Sequence, residues 1–218
     1  MNGRPTAELR PSGQLRRREI LEATLRILRR DGLRAVSHRT VAAEAQVPLA
    51  STTYYFRDLE DLIAESFLYW SQATQQQVRE FHASALAAVR EAEASGTVDA
   101  ALVARLADVA AAYVVDQVTV HRPDRVLEFA FLHEAARVPK LRAVVRARQS
   151  EDLRSLEELH AALGSRQPAI DAQISYSLLL GLEKRAVLAE AGDAGLAMVR
   201  PVIVSYLVRI LLPLQGQR

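Results

Sequence analysis

SHRTVAAEAQVPLASTTYYF, residues 37–56, decides the reading of this chain. Ser37 can cap a short helix over His38 to Ala45. Gln46 and Val47 make a tight connection. Pro48 lacks an N–H and suits a helix's first turn, so a second short helix runs to about Tyr55. Two short helices joined so tightly have the proportions of a helix-turn-helix. That motif needs small residues where the helices cross, and Ala42, Ala43 and Ala45 supply them. It needs an apolar plug after the turn, and Val47 is one. Its second helix needs an exposed N-terminal half whose side chains reach base edges and phosphates in a major groove. Pro48, Leu49, Ala50, Ser51, Thr52, Thr53, Tyr54 and Tyr55 fit. The start of the first helix, Ser37, His38, Arg39 and Thr40, belongs to the same candidate surface, because either helix start offers free N–H groups to a phosphate. One of the two tyrosines belongs in the core with Phe56, and Tyr54 is expected to be the exposed one.

Outward from this stretch the apolar residues recur at three and four. Ile20, Ala23, Thr24 and Ile27 share one face of a helix over about Gln14 to Asp31. Gly32 suits the left-handed position that ends it. Asp58 can cap a long helix through Leu62, Phe67 and Trp70 toward Glu93, which the Ser95-Gly96 pair ends. Further helices are predicted at about Val98 to Val118, Pro123 to Ala136, Lys140 to Leu163, Pro168 to Ala191 and Asp193 to Leu214. No sustained alternation or hairpin turn marks a strand. The expected fold is all-α with about nine helices. Residues 1–13 are expected to be a flexible basic tail, 14–60 a helix-turn-helix domain and 61–218 a helical bundle.

Half of the 218 residues are apolar and a quarter are charged, so the chain can bury a core. There is no Cys, which excludes a disulfide scaffold, a thiolate zinc site and a catalytic thiol. The Arg residues near the N-terminus have no apolar stretch behind them, unlike a secretory signal. The longest apolar runs are too short to span a bilayer. The chain is expected to be cytoplasmic, without a membrane partner. Residues 1–60 hold eleven Arg against seven acids, a net of +4; the remainder holds seventeen bases against nineteen acids, a net of −2. A basic first quarter fits an anionic partner, either nucleic acid or an acidic membrane surface.

The string from Ile20 to Phe67 resembles the DNA-binding domain of the TetR family of bacterial repressors. The matching residues are Ile20-Leu21-Glu22-Ala23, Gly32, Ser37-His38-Arg39-Thr40-Val41-Ala42, Glu44-Ala45, Val47 and Thr53-Tyr54-Tyr55-Phe56, then Leu62 and Phe67. The resemblance implies a three-helix DNA-binding domain followed by a larger bundle for ligand binding and dimerisation. Three positions depart from the family's pattern. Gln46 stands at the turn where the family has Gly, so it must take an unusual backbone angle or the turn differs. Thr53 stands where the family has Tyr, and Leu59 where it has a phosphate-touching Lys. Arg39, Arg57 and the Arg16-Arg17-Arg18 cluster are available to compensate.

In the second part Phe67, Trp70, Tyr113, Phe129, His133 and Tyr176 are the candidate effector-pocket residues, since the resemblance implies a hollow bundle with large apolar walls. Plain core packing is the alternative for each aromatic. His121, Glu128, His133 and Glu134 lack the second His at helical spacing that a zinc-protease helix has, so no metal or cofactor is expected. The last two helices are apolar on more than one side, which implies burial on more than one side. A homodimer through Ile174, Leu178, Gly181, Arg185, Ile203, Tyr206, Leu207 and Ile210 is expected, with Glu183 and Arg185 able to pair across the axis. A charge placed at Leu207 or Ile210 should then split it. The expected function is a DNA-binding transcriptional repressor, released from a palindromic operator by a small, mostly apolar effector. An effector-independent regulator, or an activator controlled by a protein partner, is the alternative. A helical enzyme would need convergent acid, base or nucleophile groups, a Gly-rich phosphate loop or a metal set, and the sequence offers none of these.

Overall fold

A computed structural model describes residues 11–95, 99–189 and 196–211. The described residues form nine α-helices and no strand: α1 (Pro11–Asp31), α2 (His38–Glu44), α3 (Leu49–Tyr55), α4 (Leu59–Ser95), α5 (Ala100–Thr119), α6 (Arg122–Ala135), α7 (Pro139–Ala162), α8 (Pro168–Leu188) and α9 (Val199–Leu211). A short 3-10 turn, Leu33–Ala35, separates α1 from α2. No described helix is long and apolar enough to cross a membrane. The expected tail at 1–13 lies outside the described residues as far as position 10, and Pro11 already begins α1. The last helix is described only over Val199–Leu211, shorter than its apolar pattern.

The chain divides into two compact units. The first holds the residues up to Gln72 together with Phe129–Val145; the second holds Ala73–Glu128 and the chain from Arg146 onward. The first unit therefore extends past residue 60, because the early turns of α4 and the α6–α7 corner share its core.

In the first unit the predicted face of α1 is the buried one. Ile20, Ala23 and Thr24 have no exposed surface, and the Thr24 hydroxyl is satisfied by donating to the Ile20 carbonyl. Val41, Ala42 and Val47 close on the same core, with Phe56, Leu62 and Phe67. Ala43 is a correction. It is exposed, since one residue beyond Ala42 is a rotation of about 100° around the helix. Asp58 caps α4 as expected, accepting from the Asp61 N–H at 2.7 Å, and its other carboxylate oxygen receives Lys140.

In the second unit Phe81, Val89, Leu102, Leu106, Val114, Leu156, Leu163, Leu182 and Ile203 form one core drawn from α4, α5, α7, α8 and α9. Asp99 caps α5 by accepting from the Ala101 and Leu102 N–H groups.

Candidate nucleic-acid interface and effector cavity

The corner between α2 and α3 is locked from both ends of α2. Ser37 Oγ accepts from the Thr40 N–H, and Thr40 Oγ1 accepts in return from the Ser37 N–H, a reciprocal capping box. At the other end the Gln46 N–H donates to the Ala43 carbonyl and the Val47 N–H to the Ala42 carbonyl, a Schellman pair. That geometry requires a left-handed residue between them, and Gln46 has φ of 54°. The turn is thus kept without the family's glycine, and Val47 is buried as the plug.

This corner sets the aspect of α3. Pro48, Leu49, Ala50, Thr53 and Tyr54 are exposed, with Tyr54 at 76 %. Ser51 and Tyr55 are half-buried, and Tyr55 meets Tyr54 edge-on with ring centroids 5.0 Å apart. Phe56 is the buried aromatic of the group. Thr52 is a correction. It is fully buried and its hydroxyl donates to the Leu49 carbonyl, so it faces the core. At the start of α2, Arg39 and Thr40 are exposed, while Ser37 and His38 are half-buried.

The arginines sort by partner. Arg17 pairs with Glu65 at 2.6 Å and lies 5.5 Å over the Phe56 ring, a structural role. Arg16 and Arg18 sit 3.5 Å from Glu19 and Glu22. Arg57 bonds Asp61 and, as the leading cause, holds that carboxyl below its usual range. Arg39 has no ion-pair partner among the described residues.

The six expected pocket residues are divided between the two units. Phe67 and Trp70, three residues apart on α4, meet Phe131 in the first unit with centroids 5.2 to 6.1 Å apart, and all three are buried. They fill a core. Phe129 is half-buried and His133 exposed in that unit. Tyr113 and Tyr176 belong to the second unit, where Tyr113 stacks on Phe81 at 4.6 Å.

Among the described residues the second unit has a small and a larger cavity. One, of about 50 Å³, is walled by apolar residues such as Phe81, Ala110 and Leu207, with His160, Ser175 and Tyr206 as its polar edge. His160 Nε2 and Ser175 Oγ are 2.7 Å apart, and burial lowers the pKa of the imidazole. The other, of about 330 Å³, opens between α4 and α7 and is lined by Gln75, Val78, Arg79, His82, Arg148, Glu151, Asp152 and Ser155. Burial, with Arg148 nearby, pushes His82 down to about 4. Burial pushes Asp152 up to about 6 against the opposing pull of Arg148. Arg125 pairs with Glu128 and Glu183 and donates to Gln117. Burial raises Glu183 to about 7 despite Arg125.

None of Arg125, Gln117, Asp152 or Arg148 was singled out from the sequence. The Arg125–Glu128 pair at helical spacing is a signal any solvated helix also gives. On the sequence alone Glu183 could pair with Arg185 across a dimer axis. It is instead buried against Arg125 of its own chain, and Arg185 is exposed. Of the expected dimer residues, Ile174, Gly181 and Arg185 are exposed and Leu178 half-buried, all on one face of α8. Ile203 and Leu207 are buried within the chain, and Tyr206 and Ile210 are half-buried. A charge at Leu207 would therefore disrupt the core itself.

Residues 101–212 match the family described as "Tetracyclin repressor-like, C-terminal domain". A 48-residue stretch is 38 % identical to the nicotine-responsive transcriptional repressor HdnoR of Paenarthrobacter nicotinovorans, covering 22 % of this chain and 25 % of that protein. The chain thus spans about a quarter of that curated relative. The solved multidrug binding protein EbrR, complexed with ethidium, is 30 % identical, with 88 % of this chain and 97 % of that chain covered and a TM-score of 0.62. A TetR transcription regulator from Haloarcula marismortui, 15 % identical with 91 % and 99 % covered, has a TM-score of 0.68 and shares the fold.

Proposed function

We propose that this chain, which belongs to the tetracyclin repressor-like (TetR) family of transcriptional regulators, is a repressor that reads a near-palindromic operator as a homodimer. The observation that carries the reading is the rigid α2–α3 corner, with Leu49, Ala50, Thr53 and Tyr54 exposed on one short helix beside the unpaired Arg39. Leu49 and Ala50 suit thymine methyls, Thr53 suits base edges, and Arg39 and Tyr54 suit phosphates. Two such helices related by a two-fold axis read half-sites about one helical turn apart, roughly 34 Å.

Support for the dimer comes from α8. Ile170, Ile174, Leu178, Gly181, Arg185 and Leu188 share one face, and Ile170, Ile174 and Leu188 are about half exposed or more. A Cβ at Gly181 would meet nothing within 4 Å in this chain, so a partner's backbone has room to approach. A small effector enters the second unit and acts through α4, which both lines its larger cavity and begins, at the Asp58 cap, in the reading unit. Effector and operator weaken each other's binding reciprocally. Relatives named as a nicotine-responsive repressor and a multidrug binding protein support an effector-responsive reading.

The test is a binding assay with DNA from upstream of the chain's own gene, alongside selection from random duplexes. The expected result is one enriched near-palindrome, with affinity falling by about 10³-fold or more between 50 and 200 mM salt. Failure to enrich any sequence sinks the reading.

A further inference from the structure

Among the described residues three take a left-handed backbone: Gly32 at φ 77°, Gly164 at φ 78° and Gln46 at φ 54°. At Gly32 and Gly164 a Cβ would meet nothing within 4 Å, so conformational freedom and not space selects glycine there. Gln46 holds the same region with a side chain, which that backbone disfavours. Asn and Asp enter it most readily after glycine, because their short polar side chains bond the local backbone. Gln is one methylene longer than Asn. Its amide has no hydrogen-bond partner among the described residues, and the residue is exposed. Neither burial nor an internal hydrogen bond accounts for a side chain at this position.

Its place in the corner supplies a second observation. Gln46 lies two residues before Pro48 and three before Leu49, both exposed. Its Cα is therefore within about 11 Å of the Leu49 Cα. Val47, between them, is turned into the core, and the bonds to the Ala42 and Ala43 carbonyls hold the turn rigid. Glu44 is taken up by Arg26 at 2.9 Å and Arg30 at 3.1 Å, so no unpaired carboxylate stands within two residues of Gln46 to repel DNA. The turn thus presents a neutral amide, with two donors and one acceptor, at the end of the corner where α3 begins. A strained residue of this kind persists where its surroundings over-determine it, and such residues cluster at binding sites.

We propose that Gln46 is a specificity residue of the operator contact, its amide reading the major-groove edge of an adenine beside the base pair met by Leu49. The inference rests on the reading of the α2–α3 corner given above. Adenine presents an N7 acceptor and an N6 amino donor there, and one amide satisfies both. Guanine presents two acceptors instead, and leaves the amide oxygen unpaired. A glycine at 46 would relax the turn and remove the reading group, giving a more stable and less selective corner.

Selection of operators from random duplexes by the full-length wild type, Gln46→Glu and Gln46→Gly tests this. The wild type should prefer adenine at one position in each half-site by about tenfold. Gln46→Glu keeps the side chain's shape but exchanges its donor for an acceptor. It should lose the adenine and move that one position toward cytosine, whose N4 amino group donates to a carboxylate. Gln46→Gly should fold with a raised Tm, yet flatten the preference at that position and leave the rest of the site unchanged. If both variants select the wild-type sequence, with any change in affinity spread over all duplexes, the proposal is overturned and the regulator stands. A reduced salt slope in Gln46→Gly places the amide at a phosphate and overturns it as well. A wild type that enriches no sequence refutes the regulator, and the adenine contact with it.

Discussion

Gln46 occupies a backbone region that a side chain enters at a cost of about 1–2 kcal/mol. It is held there because the Schellman bonds to Ala42 and Ala43, with the burial of Val47, over-determine the turn. Gln46→Gly relieves that strain while adding unfolded-state entropy, so a gain of up to about 1 kcal/mol is expected, a rise in Tm of roughly 2–4 °C. Thermal unfolding decides, and a drop in Tm contradicts the strained-turn account. At Leu49, exposed at the start of α3, Leu49→Ala should change the preferred operator sequence and leave the salt slope alone. Operator selection with the variant checks it; a change in salt slope without a change in preference would put Leu49 at the phosphates instead.

Among the elements, α2 and α3 were legible from the sequence because their signals are local: a Ser cap, a Pro at the helix start and small residues between. The side chains that face inward were less so. Thr52 looks like a base reader in any list of hydroxyls, but its burial depends on the crossing angle of α3, which one-dimensional spacing does not encode. Likewise Phe67 and Trp70 looked like pocket walls, and Phe131, 61 residues beyond Trp70 in the chain, closes on them instead. The buried charges of α6 to α8 were invisible for the same reason: Arg125, Glu128, Asp152 and Glu183 lie on three helices that read as ordinary amphipathic surfaces. Those charges make a stability prediction. Glu183 and Asp152 have folded pKa values raised to about 7 and about 6, above an unfolded value near 4. The folded state therefore keeps protons that the unfolded chain has lost, and this stabilisation, complete below about pH 4, is lost as pH rises through 6 to 7. His82, lowered to about 4, and His160, also lowered by burial, work in the opposite direction, chiefly below about pH 7. Between pH 7 and 8 the carboxylates outweigh them, so Tm should fall over that interval in the wild type and fall less in Glu183→Gln. An identical slope in both would place the proton elsewhere.

At the scale of the whole molecule, the dimer rests on the exposed apolar face of α8. Ile174→Asp puts a charge where a partner would bury it, and should yield a folded monomer by sedimentation at micromolar concentration. A variant that remains dimeric moves the interface off this face. The account's central claim, that this protein regulates through the α2–α3 corner, is tested most directly by the salt dependence of operator affinity in wild type and Arg39→Ala. Arg39 is exposed beside the reading helix, with no ion-pair partner among the described residues, and a two-fold dimer presents it twice. The account predicts a weaker complex on every sequence, with the slope of log affinity against log salt reduced by about two. An unchanged affinity and an unchanged slope would contradict it.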